Sequence, residues 1–129
     1  MRTATEPVSC EVPMVHPEKV ALARSGAPSA GEIEVLASLF KLLGDPTRTR
    51  ILYALLETGE LCVCDLAAAT GTAESTVSAA LRLLRAAGAV AGRRDGRMVF
   101  YRLADAHVRM LLDLSREHAR HGSDQERDN

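Results

Sequence analysis

The stretch 60-ELCVCDLAAATGTAESTVSAALRLLRAAG-88 decides the fold. Two helical patterns, roughly Cys62 to Ala69 and Glu74 to Ala87, flank the turn "TGTA". In the second, Val77, Ala80, Leu81 and Leu84 fall on one face at the spacing of an amphipathic helix. Ser75, Ser78, Ala79, Arg82 and Arg85 point the other way and are small, polar or cationic. A short helix, a glycine-containing turn and a second helix of this kind predict a helix-turn-helix.

Toward the C-terminus the period changes after Gly88. "AVAGRRDGRMVFYRLA" reads as two extended runs flanking Asp95-Gly96, a strong hairpin signal. Val99 and Tyr101 fit a half-buried strand, and a last helix is predicted from Asp105 to about His121. Toward the N-terminus, Ile33, Leu36, Ala37, Phe40 and Leu43 recur at helical spacing, and Gly44 supplies the stop. Asp45-Pro46 then starts a helix as N-cap and first helical residue, burying Ile51, Leu52, Leu55 and Leu56 before "TGE" ends it. The expected architecture is mainly α with a small β hairpin, a winged helix-turn-helix over residues 29–121. Residues 1–28, with Pro7, Pro13, Pro17 and Pro28, read as a mobile arm with a helical turn or two around "PEKVALAR"; residues 122–129 read as a disordered tail.

Composition fits that architecture. The chain has 129 residues, 47% hydrophobic and 26% charged, with 3% aromatic and no Trp, so its core must rest on Leu, Val, Ile and Ala. No apolar run approaches a membrane span, and the first residues lack the apolar stretch of a secretory signal. Three cysteines make a poor disulfide framework, so a reduced, cytoplasmic protein is expected. The net charge of -1 hides a polarity: between Gly71 and Leu103, Arg82, Arg85, Arg93, Arg94, Arg97 and Arg102 face only Glu74 and Asp95. Charge placed in this way suits a nucleic-acid footprint, with Ser75, Thr76, Ser78 and Arg82 on the second helix and Arg94 and Arg97 on the wing as candidate contacts. No nucleophile–base–oxyanion set or phosphate loop is visible, so catalysis and a small organic substrate are not expected.

The last helix carries a stripe of His107, Leu111, Leu114, His118 and His121 at alternating spacings of four and three, the pattern of a coiled-coil seam. Val108, Leu112 and Ala119 lie beside it, where they can face the same subunit. A helix apolar on two sides predicts a homodimer. His107 and His118 are eleven residues apart, about 16 Å along the axis, too far to grip one ion within one helix. In an antiparallel pair, His107 of one chain would meet His118 and His121 of the other, with Asp105 adding a carboxylate: a tetrahedral zinc set. The alternative is that these are solvated helix-end residues, with the C-terminal histidines favoured by the helix dipole.

Cys62 and Cys64 sit where a helix is predicted to start, and there the dipole would favour their thiolates. Residues i and i+2 of a regular helix point in nearly opposite directions, so a shared ion requires Cys62 at or before the first turn. Cys10 is the obvious third thiol and His16 a weaker fourth ligand. The alternative is two small buried hydrophobes.

These residues carry a resemblance. "LFKLLGDPTRTRILYALLETGELCVCDLA", "STVSAALRLLRAAGAV" and "RRDGRMVFYRL" closely resemble the ArsR/SmtB family of metal-responsive bacterial repressors, over about Glu32 to His121. "ELCVCDL" is among the more specific motifs. The resemblance implies a homodimer whose apo form holds operator DNA, with metal weakening that hold so that efflux or detoxification genes are expressed. It is greatest to the cadmium/lead sensors, in which the CVC pair joins cysteines from the other subunit's arm. Cys10 matches the first arm cysteine, but Met14 stands where those sensors have a second. Three thiolates would suit Pb(II), As(III), or Cd(II) completed by His16 or water. Asp105, His107, His118 and His121 match the family's zinc site on the last helix. Ala79 departs from the histidine that many members carry after the position of Ser78. Two rival expectations are a thiol-redox-sensing repressor of the same fold and a metal-storage protein that does not bind DNA.

Overall fold

The structure, a computed structural model, describes residues 13–128, with side chains described for 13–122. Cys10 and the first part of the arm therefore lie outside the described residues.

Two units divide the chain at Leu36. In the first, α1 (Pro17–Gly26) is longer than the turn or two expected of the arm. Its ends explain this: Pro17 opens it, Glu18 lies in the first turn and Arg24 in the last, both favourable to the helix dipole. The helix α2 (Ala30–Leu43), whose residues from Ala37 on belong to the second unit, follows Ser29, whose Oγ accepts from the backbone N–H of Glu32 at 3.1 Å. Neither α1 nor α2 has a buried residue.

The second unit holds the core. The Asp45 carboxylate caps α3 (Pro46–Thr58), accepting from the Arg48 N–H at 3.0 Å. The same first turn closes the end of α2: Arg48 Nε donates to Leu42 O and Thr49 Oγ1 to Leu43 O, both at 2.8 Å. These bonds satisfy carbonyls that a helix end leaves without partners. Ile51, Leu52 and Leu55 of α3 are buried, with Leu56 half-buried beside them.

Next come β1 (Leu61–Cys62), α4 (Val63–Thr70) and α5 (Glu74–Ala86). Gly71 ends α4 at φ 64°, the left-handed conformation that favours glycine and turns the chain toward α5. Val77, Ala80, Leu81 and Leu84 of α5 are all buried against α3 and α4, as their spacing predicts. The wing follows as β2 (Val90–Asp95) and β3 (Met98–Leu103), joined through Gly96 at φ 64°. The sheet has a third strand, since β1 pairs with β3 in the order β1-β3-β2, with Leu61 opposite Tyr101 and Cys62 opposite Phe100.

The last helix, α6 (Ala106–Asp128), packs Leu112 and Val108 on the core, and the Tyr53 hydroxyl donates to Leu112 O at 2.7 Å. It runs past the expected stop near His121, through residues expected to form a disordered tail. Gly122 costs a helix only about 1 kcal/mol, and no proline follows it. Each further residue adds one backbone hydrogen bond. The winged helix-turn-helix expectation is borne out.

Candidate functional site

Cys62 resolves the spacing problem by standing outside the helix. It is the N-cap of α4, with extended backbone (φ -84°, ψ 173°), while Cys64 lies in the first turn. The two Sγ atoms are 3.4 Å apart in hydrogen-bond contact. Cys62 is buried and Cys64 is exposed. Asp65, which the sequence reading passed over, brings a carboxylate oxygen within 4.8 Å of both sulfurs. It follows Cys64 directly in the first turn, and that adjacency was the signal available.

The Cys64 thiol is not poised as the helix dipole alone predicts. The hydrogen bond to Cys62 holds the Cys64 thiol above the usual cysteine range, assisted by partial desolvation and by the negative fields of Cys62, Asp65 and Glu74.

The donor set fits a soft ion. Two thiolates bound to one tetrahedral zinc at Zn–S distances of about 2.3 Å stand about 3.8 Å apart. The observed separation of 3.4 Å is a few tenths of an ångström short of that. His16, the proposed weaker ligand, stands at the N-cap of α1 in the other unit, exposed and with Nδ1 3.8 Å from Glu18 Oε1.

On α6, Asp105 and His107 are brought together. The Asp105 Oδ1 accepts from the backbone N–H of His107 at 2.9 Å and of Val108 at 3.1 Å, and His107 Nδ1 lies 3.6 Å from it. Asp105 thus caps the helix. His118 and His121 lie further along the same helix and are exposed. Within one chain the two pairs stay separate, about 16 Å apart along the axis. In the stripe between them Leu114 is 63% exposed and Leu111 half-buried, and Met110 beside it is 58% exposed.

The candidate nucleic-acid contacts lie on one face of α5 and on the wing. Ser75, Thr76, Arg82, Arg94 and Arg97 are exposed, and Ser78 is half-buried. Arg93 is different, although it stands in the same Arg-rich wing as Arg94 and Arg97. Its guanidinium forms a forked contact with Glu60, with Nε at 2.8 and 3.0 Å from the two carboxylate oxygens and Nη2 at 2.7 Å. It also lies 4.9 Å over the Phe100 ring. The hydrogen bond from Arg93 holds the Glu60 carboxyl below the usual glutamate range. Arg93 ties the wing to the residue that precedes β1. Phe100 pairs with Arg93 on one side and with Cys62 on the other, so the three stand in one row across the sheet.

Residues 45–91 match the model of the bacterial regulatory protein arsR family. The chain is 46% identical over 112 residues to a transcriptional repressor SmtB homolog of Synechocystis, covering 87% of this chain and 82% of that one. It is 40% identical over 111 residues to a cadmium resistance transcriptional regulatory protein CadC homolog of Staphylococcus aureus, covering 86% and 91%. Among solved structures it resembles the homodimeric winged helix-turn-helix DNA-binding domain of a possible ArsR-family regulator from Mycobacterium bovis. There the TM-score is 0.70 at 32% identity, with 78% of this chain and 94% of that one covered. With the fold, the exposed cationic face of α5 and these similarities in hand, the chain belongs to the arsR family of bacterial regulatory proteins, the winged helix-turn-helix DNA-binding repressors.

Proposed function

We propose that the chain is a homodimeric, metal-responsive repressor whose apo form holds operator DNA and releases it when a soft metal ion binds at the start of α4. Cd(II) and Pb(II) suit the site best, and Zn(II) and As(III) are further candidates. The observation that carries this reading is the pair of sulfurs 3.4 Å apart, with the Asp65 carboxylate beside them, on the first helix of the helix-turn-helix. Cys62 and Cys64 would hold the ion as thiolates, with Asp65, His16 and Cys10 from the partner's arm as further ligands. Once bound, the ion neutralises thiolate charge and fixes the separation of the sulfurs. The chain's own residues do the rest. Cys62 belongs at once to the edge strand β1 and to the cap of α4. Opening the sulfurs from 3.4 Å to the metal-bound separation moves Cys62 away from Cys64, which shifts β1 against β3 and α4 against α5 and alters how wing and α5 face the DNA. Weakening DNA binding a hundredfold takes about 2.7 kcal/mol, small beside a multi-thiolate metal bond.

For DNA, Ser75, Thr76, Ser78 and Arg82 of α5 enter the major groove, and Arg94 and Arg97 of the wing reach the backbone. The exposed seam of α6 supports a second metal site. Paired antiparallel with a second copy, it brings Asp105 and His107 to the partner helix's histidines 118 and 121, a set suited to Zn(II). X-ray absorption on the Cd(II)-loaded full chain tests the first site. Two or three sulfur ligands are expected, and a shell of nitrogen and oxygen alone would overturn the reading.

A further inference from the structure

The wing meets α5 at a notch of about 440 Å³ lined by Ser78, Leu81, Arg82, Arg85, Ala86 and Tyr101. Its construction depends on Gly92, which pairs with Tyr101 across the β2–β3 ladder. A Cβ at Gly92 would stand 3.3 Å from Tyr101 Cε1, 3.3 Å from Val99 Cγ1 and 3.6 Å from Arg85 Nη1. Its φ is not in the left-handed region, so glycine is required here for space. The space lets the Arg85 guanidinium, from the last turn of α5, lie against the wing beside the Tyr101 ring. Among the described residues no carboxylate lies within ion-pair distance of Arg82 or Arg85, whereas Arg93 is held by Glu60 and Arg116 by Glu57.

We propose that this notch seats one backbone phosphate of the DNA, with Arg85 as its ligand, Arg82 beside it, and Gly92 and Tyr101 as positioning residues. Two unpaired guanidinium groups at a recess match a phosphodiester in charge and in donor geometry. Position on the helix argues for phosphate over base. A recognition helix reads base edges mainly from its N-terminal residues, and Arg85 is in the last turn. Held against the wing, Arg85 sets the distance between helix and wing on the duplex and carries no sequence information. The proposal rests on the reading of α5 and the wing as the DNA-binding face.

The test is fluorescence anisotropy of the full chain, as wild type, Arg85→Gln and Arg85→Lys, on operator and on scrambled duplex. Salt is varied between about 50 and 200 mM. One lost phosphate contact reduces the slope of log affinity against log salt by about 0.9. Arg85→Gln should therefore weaken both duplexes by the same factor and shrink the loss of affinity across that salt range about 3.5-fold. Arg85→Lys restores most of the slope, and Gly92→Ala weakens both duplexes in the same proportion. Thermal melting of each variant shows that the fold is kept. An unchanged slope in Arg85→Gln, or a loss confined to the operator, overturns the proposal. Wild-type protein that binds neither duplex would instead sink the DNA-binding reading on which it rests.

Discussion

Replacing Cys64 with serine separates metal sensing from folding. Cys64 is exposed and Cys62 is 4% exposed, so the two thiols differ in what their loss costs. A serine hydroxyl buried in place of Cys62 would cost about 1–3 kcal/mol without an acceptor. An exposed Cys64→Ser change stays within about 0.5 kcal/mol. The metal, by contrast, loses one of its two thiolates on α4. Structural zinc sites are worth about 10–16 kcal/mol over four ligands. One ligand therefore contributes about 3 kcal/mol, or roughly 150-fold in affinity. Cys64→Ser should melt within a few degrees of wild type and bind operator DNA within about threefold of it. It should need about a hundredfold more Cd(II) to release that DNA. The assay is anisotropy of labelled operator at fixed protein, titrated with Cd(II). Release at the wild-type Cd(II) concentration would refute the assignment of the site.

Cys62→Ser should likewise keep operator binding and lose release by Cd(II) or Pb(II), at a greater cost in melting temperature. His118→Ala should lower zinc stoichiometry while leaving the Cd(II) response of the thiolates unchanged, as read by zinc titration and anisotropy; loss of the Cd(II) response would mean a single integrated site. Leu84→Ala, at a fully buried position of α5, should destabilise the fold by about 3 kcal/mol, measured as a shift of the urea midpoint. The Glu60 carboxyl should titrate below the usual glutamate range by NMR and return to it in Arg93→Met. Because the folded value is the depressed one, whatever the pair adds to stability is present above the unfolded value. It is lost as pH falls through the folded one.

Local signals account for what was legible in the sequence. Asp45-Pro46 at the start of α3, the i+3 and i+4 spacing of Val77, Ala80, Leu81 and Leu84, and Asp95-Gly96 at the wing each act within a few residues. All three are found in the structure. Features set by distant partners were hidden. The strand β1 has two residues, too short for any period, and exists because Phe100 and Tyr101 offer it an edge. Arg93 reads as one more phosphate-seeking arginine until Glu60, 33 residues earlier, is found beside it. The thiol pair was half legible. Its motif was plain, but the extended backbone that lets Cys62 face Cys64 comes from β1.

Coupling between metal and DNA is the central claim, and linkage requires it to be reciprocal. The most direct measurement is the dissociation constant of the wild-type dimer for DNA from upstream of its own gene, without metal and with saturating Cd(II). A ratio of about a hundred, returned to one by a chelator, is the predicted result. A ratio of one with Cd(II) bound, or release that only dithiothreitol reverses, would contradict it.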